Sequence, residues 1–430
     1  MSDDRPSRVP KGLLDRGRRT ARLGRIVVGA GAKRLLRKRE QDDRSFGAAL
    51  ADELDAMKGM AMKVGQILSY MDVPLPDEAQ AALARLQRGA QPLAFHAIVE
   101  VIEESLGAPV ESLFDAVDPE PVAAASIGQV HRGVLAGEPV AIKVRYPGVI
   151  ETFESDLARM DTLAGLASLA TVVDGKAIVA ELGARLKEEC DYRIEARWQA
   201  AFRRAFAHAE GITVPEVISE RSTEAVLTSR WIDGLDLEAF AGAPQEARSR
   251  AGLRLAHVAW HSLFVLQTAN VDPHPGNVLF APDGAITLLD YGCVRRFDDW
   301  FVAAWRELFA LMLDGVDGQS AEFARAVQAT RMVGGERFDY GFHHEQLTWM
   351  LAPYLVERFA FDRAYTRAGY RFSSPTAPNG RRVAIPPQWI WLARLHIGLH
   401  SVLARLGSEG EIRNVLRAAI SEEPSSLPAG

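Results

Sequence analysis

The sequence predicts an α+β fold, and three stretches carry that expectation. Residues 46–106 and most of the chain beyond 298 show apolar residues at helical spacing. Between them, "PVAAASIGQVHRGVLAGEPVAIKVRYPG" (121–148) reads as strand, turn, strand, with Gly137 in the turn and β-rich "PVAIKV" after it. Further on, "VDPHPGNVLF" (271–280) and "AITLLDYG" (285–292) join stiff turns to short apolar runs. A chain of 430 residues, 48% apolar and 25% charged, has ample core for one large domain or two ordinary ones.

Taken in order, residues 1–44 form a basic arm without a clean helical period; Gly24, Gly29 and Gly31 weaken any helix there. Thirteen Lys/Arg against four acids in the first 40 residues leave the rest of a chain of net charge −6 strongly acidic. Such an arm meets an anionic surface or stays solvated; an anionic membrane is the partner expected, and nucleic acid is not. Helical segments follow at 46–71, 76–87 and 94–107, the last closed by Gly107. After the strand pair come helical segments at 147–170 and 175–209, then strand candidates "TVPEVI" (213–218) and "EAVLTSRWI" (224–232). A largely apolar helix is predicted over 251–269, and the tail is helical except for Pro/Gly-rich 373–382.

The longest apolar run, "WFVAAWRELFALMLDG" (300–315), is cut by Arg306 and Glu307, short of the roughly 20 residues a spanning helix needs. Two cysteines, Cys190 and Cys293, offer neither metal spacing nor a disulfide framework. A reducing, cytoplasmic location with peripheral membrane association is the expectation.

Asp272 and Asn277 stand five apart in a loop stiffened by Pro273, Pro275 and Gly276, and Asp290 follows after an apolar run. An aspartate for the nucleophile, an asparagine for a metal and a second metal-binding aspartate form a phosphoryl-transfer layout. The phosphoryl group must be held in line while a divalent cation neutralises its charge. Upstream, "VAIK" supplies Lys143 on a predicted strand, where it needs a carboxylate and a phosphate; "KEECDYRIEA" (187–196) offers Glu188, Glu189, Asp191 and Glu195. The pairs His257/His261 and His396/His400 sit at helical spacing without a third ligand, and read as packing or solvated histidines rather than zinc sites. Trp300, Trp305, Trp349, Trp389 and Trp391 read as core or groove anchors.

Together "KVGQ" (63–66), "AAASIGQVHRG" (123–133), "VAIKV", "ECDYRIEA", "DPHPGNVLF" and "LLDYG" resemble the UbiB/AarF family of atypical protein-kinase-like proteins. The resemblance implies a two-lobed protein-kinase-like fold: a family-specific helical extension at 45–118, an N-lobe at 119–232 and a mostly helical C-lobe at 233–430. By it, Lys143 contacts the nucleotide phosphates and pairs with Glu195, Asp272 takes the catalytic-loop role, and Asn277 and Asp290 bind Mg²⁺. Lys63 and Gln66 belong to the extension motif that folds over the active site, and Lys63 reaches Glu189 with Asp191 close by. Helix spacing alone favours Glu188, seven before Glu195; the motif match favours Glu189. Ala123, Ala124, Ala125 and Ser126 replace the glycine-rich phosphate loop, and the methyl groups of the three alanines restrict its geometry. His274 sits where aminoglycoside and choline kinases also carry histidine, which suggests a small-molecule or lipid-linked substrate. Arg230 departs from relatives by standing where an acidic residue is common.

The function implied is an ATP-binding atypical kinase or ATPase, using ATP/ADP and Mg²⁺, in support of isoprenoid quinone or related lipid metabolism. Two alternatives stand beside it: a small-molecule phosphotransferase of the aminoglycoside or choline kinase type, against which the "KVGQ" extension argues, and a nucleotide-gated scaffold.

Overall fold

The computed structural model describes residues 92–124, 127–155, 183, 187–362, 365, 377–379, 382–425 and 427. The basic arm, Lys63, Gln66, Ala125 and Ser126 therefore lie outside the described residues, as does most of the predicted 45–118 extension. Helices and sheets are mixed, as the sequence predicts, and the chain divides into two compact units. The first comprises residues 1–133 and 142–190, the second 134–141 and 191–430.

In the first unit, α1 (Phe95–Leu106) buries Ile98 and Ile102, one turn apart on a single face, and ends where Gly107 turns left-handed at φ 75°. After a single turn, α2 (Val110–Leu113), strands β1 (Ala116–Ala124), β2 (Gly128–Leu135) and β3 (Glu138–Arg145) form a meander with β1 at its edge. Pro119 and Pro121 are tolerated in β1 because an edge strand has no second partner to donate to. The β2–β3 turn holds Ala136 at φ 53° and Gly137 at φ 77°, the two left-handed residues of a tight hairpin. Buried Gln129 ties the start of α1 to β2: its Oε1 accepts from the Leu93 N–H at 2.9 Å. The Gln129 amide also donates to His131 Nε2 (2.8 Å), which fixes the tautomer in which Nδ1 donates to the Asp118 carbonyl at 2.7 Å.

Besides the β2–β3 turn (134–141), the second unit holds α3 (Tyr192–Ala205), capped by Asp191, whose carboxylate accepts the Arg193 N–H at 3.0 Å. Strand β4 (Ile212–Thr213) follows, then β5 (Val226–Arg230), after which the Trp231 N–H donates to the Pro139 carbonyl. Helices α4 (Leu237–Phe240) and α5 (Gln245–Phe264) lead to four short strands: β6 (Thr268–Asn270), β7 (Val278–Phe280), β8 (Ile286–Leu288) and β9 (Val294–Arg296). The remainder is helical: α6 (Asp299–Leu313), α7 (Ala321–Ala329), α8 (Tyr340–Met350), α9 (Ala352–Leu355), α10 (Pro387–Leu406) and α11 (Ile412–Ser421). A small antiparallel pair, Phe359–Ala360 with Glu409–Gly410, joins the tail to itself.

The apolar run predicted as one helix over 251–269 stops at Phe264. Gln267 takes φ 50°, and Thr268 and Ala269 enter β6 instead. Arg306 makes that ending possible: its guanidinium donates to the carbonyls of Phe264 and, at 2.9 Å, Ile420. The residue that interrupts the apolar run 300–315 thus satisfies another helix's terminus. Segment α6 is a core helix, and among the described residues no helix is long and apolar enough to cross a membrane.

The tryptophans and the second histidine pair lie where the sequence reading puts them. Trp305 is fully buried and stacks on Trp389 with ring centroids 4.7 Å apart, while Trp300, Trp349 and Trp391 pack against the core. His396 and His400 are buried, and His400 bridges Tyr354 (3.0 Å) and Tyr365 (3.1 Å) through its two ring nitrogens.

Candidate active site

Two antiparallel strand pairs bring the motif residues together. Strand β6 pairs with β9, and Asp272 lies just beyond β6; β7 pairs with β8, with Asn277 before β7 and Asp290 after β8. Asn270 locks the pairs to each other. Its amide donates to the Asp290 carbonyl at 2.6 Å, and its Oδ1 accepts the Asp272 N–H at 3.1 Å. The Leu289 N–H donates to the Asn277 carbonyl at 2.9 Å, which sets Asn277 beside the Asp290 segment. His274 is exposed and caps the short turn Pro275–Asn277, accepting the Gly276 N–H on Nδ1 at 3.0 Å. The loop is stiff because its backbone and side chains are spoken for, as its prolines imply.

Both oxygens of the Asp272 carboxylate are engaged. Asn277 donates to Oδ2 at 3.3 Å and to the Asp272 carbonyl at 3.1 Å. Arg394 of α10 donates to Oδ1 at 2.6 Å, a charge-assisted contact with the arginine side chain only 14% exposed. One turn further along α10, Gly398 faces the same loop: a Cβ there would stand 2.2 Å from Pro273 Cγ. Arg394 holds the carboxylate and Gly398 lets the loop's proline ring lie against the helix backbone.

Asn277 and Asp290 fit a hard divalent cation, since an amide and a carboxylate are oxygen donors. The Asn277 amide nitrogen faces Asp272, so its Oδ1 is the atom left to face a metal. The Gly292 N–H donates to Asp290 Oδ1 at 2.8 Å and orients that carboxylate. Next to it, Tyr291 is buried, and burial, reinforced by the Asp290 charge, pushes its hydroxyl pKa well up, so it remains a protonated donor.

The remaining predicted residues fall in both units. In the first, Lys143 is half-buried on β3, Glu189 half-buried and Glu188 exposed. Ala123 and Ala124 close strand β1 with exposed side chains. In the second, Glu195 is buried on α3, while Asp191 caps that helix and is held by the Arg193 guanidinium at 2.8 and 2.9 Å; that bond pulls its pKa down. Sequence reasoning missed Arg394, Gly398 and Asn270. A glycine inside a predicted helix, "LHIGLH", was the available signal for Gly398, because glycine costs a helix about 1 kcal/mol and marks a close approach.

A family model described as the ABC1 atypical kinase-like domain matches residues 85–322. The chain is 32% identical over 270 residues to the mitochondrial atypical kinase COQ8B of Rattus norvegicus, covering 62% of this chain and 51% of that protein. It is 31% identical over 265 residues to the mitochondrial atypical kinase COQ8 of Saccharomyces cerevisiae, covering 60% and 52%. The chain thus spans about half the length of these curated relatives. Among solved structures, Rv3197 of Mycobacterium tuberculosis in complex with erythromycin superposes with a TM-score of 0.67 at 26% identity, over 85% of this chain and 92% of that one.

Proposed function

The chain belongs to the ABC1 atypical kinase-like family and has its α+β, kinase-like fold, and from that premise we propose that it binds adenine nucleotide with Mg²⁺ and hydrolyses or transfers the terminal phosphoryl group. The observation that carries the reading is the convergence of Asp272, Asn277 and Asp290 on one loop cluster locked by Asn270. In it, Asn277 and Asp290 hold the cation, which when bound offsets the charge of the phosphates. Asp272, fixed on both oxygens, orients the attacking hydroxyl or water. Lys143, Ala123, Ala124, Ala125 and Ser126 hold the phosphates in this reading, and Glu195 is the lysine's partner. Lys63, Gln66, Glu189 and Asp191 form the extension contact in the same reading, with lobe boundaries at 119–232 and 233–430.

Support for a small or lipid-linked acceptor comes from His274 in the loop and from the macrolide held by the structural neighbour. Isoprenoid quinone metabolism follows from the resemblance to UbiB/AarF proteins. The test is Mg²⁺-dependent ATP turnover by the purified chain. Asp290→Asn removes a charged ligand and lowers turnover at least about a hundredfold, as loss of one preorganised electrostatic group does; thermal stabilisation by Mg·ATP falls with it. Unchanged turnover overturns the site assignment. Turnover with and without lipid and small-molecule acceptors separates ATPase or kinase from phosphotransferase, and nucleotide binding without turnover marks the scaffold.

A further inference from the structure

Beneath the Asp272 loop lies a cavity of about 80 Å³ whose walls are mostly apolar, built by Phe202 of α3, Ala259 of α5, and Leu395 and Leu399 of α10. Away from the polar residues of the loop cluster, two hydroxyl-bearing residues interrupt that wall. Ser262 and Tyr291 both line the cavity, both are 1% exposed, and neither hydroxyl has a hydrogen-bond partner among the described residues. Buried hydroxyls without a partner are rare in folded proteins, and each such group calls for an occupant that meets it. Its position on the helix gave Ser262 an ordinary way out, a bond back to a carbonyl of the preceding turn, which it does not take.

Size and chemistry together narrow the occupant. A water needs roughly 10–15 Å³ of such space and two to four polar partners. This cavity has room for several waters but offers them chiefly carbon, with two hydroxyls among the walls. An apolar molecule with one hydrogen-bonding oxygen satisfies both surfaces at once. We propose that the cavity is a binding site for a compact alcohol or ketone of about five or six carbons, or for a substituent of that kind on a larger molecule, with its oxygen bonded to Ser262 or Tyr291. Asp272, Asn277 and Asp290 border the same cavity, so a larger molecule anchored here has its remaining atoms directed to the loop cluster. The binding itself is independent of phosphoryl transfer.

The experiment uses the full chain without nucleotide, with cyclopentanol as probe and cyclopentane as its oxygen-free counterpart, and saturation-transfer NMR as the readout. Cyclopentanol binds saturably and about tenfold more tightly than cyclopentane, the value of one neutral hydrogen bond. Ser262→Ala keeps the cavity open and erases most of that preference, alone or with Tyr291→Phe. Ala259→Leu, which fills the cavity, abolishes binding of both probes, and a circular-dichroism melt of each variant confirms folding. Should Ala259→Leu not fold, the Ser262→Ala and Tyr291→Phe pair decides alone. No saturable binding by the folded wild-type chain, or an alcohol preference that survives loss of both hydroxyls, overturns the proposal.

Discussion

Replacing Gly398 by alanine tests how α10 supports the Asp272 loop. The added Cβ would stand 2.2 Å from Pro273 Cγ, 3.2 Å from Cδ and 3.3 Å from Cβ. Carbon atoms rest at about 3.5–4.0 Å, so ring or helix must give way by more than about 1 Å. The pyrrolidine ring cannot swing aside as a flexible side chain would, because its atoms are tied to the loop backbone. At an ordinary helix position Gly→Ala stabilises by about 1 kcal/mol. Overpacking of this kind costs about 1–3 kcal/mol, so the net expectation is a loss of up to about 2 kcal/mol. In a unit of this size each kcal/mol moves the melting temperature by about 2–4 °C. The displaced Pro273 adjoins Asp272, and a misplacement of about 1 Å at a reacting group can cost on the order of a hundredfold in rate. Thermal melts and Mg²⁺-dependent ATP turnover read the two effects. Pairing Gly398→Ala with Pro273→Ala removes the ring and recovers part of the lost stability. A Gly398→Ala variant that is more stable than wild type by about 1 kcal/mol and turns over normally refutes the close approach and the support argued from it.

Arg394→Met breaks the 2.6 Å pair with Asp272 and is expected to cost about 2 kcal/mol, the range for a hydrogen bond between charged groups; in a double-mutant cycle with Asp272→Asn by urea unfolding, strict additivity would contradict the coupling. Burial holds His343 and His396 down to about 4, whereas the unfolded chain titrates near 6.5, so the unfolded state takes up protons first as pH falls. Stability is therefore full above about 6.5 and lost toward 4, by about 2 kcal/mol per histidine between pH 7 and 5; His396→Gln flattens the slope, and an equally steep profile in that variant rules out the assignment. The thirteen cations of residues 1–40 contribute on the order of 1 kcal/mol each beside an anionic bilayer. The full chain should sediment with anionic vesicles at low salt and a chain beginning at Arg44 should not; equal sedimentation removes the membrane role of the arm.

The site's first layer was legible because its residues are close in sequence. Asp272 and Asn277 share one proline-stiffened turn, and Asp290 follows one hairpin later, so spacing alone carried their grouping. The β2–β3 hairpin was equally local, with Gly137 marking its turn. What failed to show was set by tertiary partners. The run 251–269 is apolar on both sides of Phe264, and tertiary partners take the carbonyls where the helix ends: Arg306 that of Phe264, and the Ser425 N–H that of Val265. Strand β1 begins at Ala116, ahead of the 121–148 stretch read as strand, turn, strand, because an edge position tolerates Pro119 and Pro121. Arg394 meets Asp272 across 122 residues, a separation at which spacing carries no information.

Helix α10 shows why those distant residues belong to one device. Its buried turn of His396 and His400 is anchored in the core, where Tyr354 links His400 to Trp260 of α5 through a 2.9 Å bond from the indole. From that anchored helix, Arg394 and Gly398, four apart and so on one face, meet Asp272 and Pro273. Leu395 and Leu399, the next residue along in each case, line the cavity that reaches the same loop. A helix fixed in the core on one side and touching the loop on the other transmits core packing directly to the position of the Asp272 carboxylate. Substitutions that loosen the His400 network should therefore lower turnover without touching any motif residue, and those that act only on exposed Ile397, on the helix's outward side, should leave it unchanged.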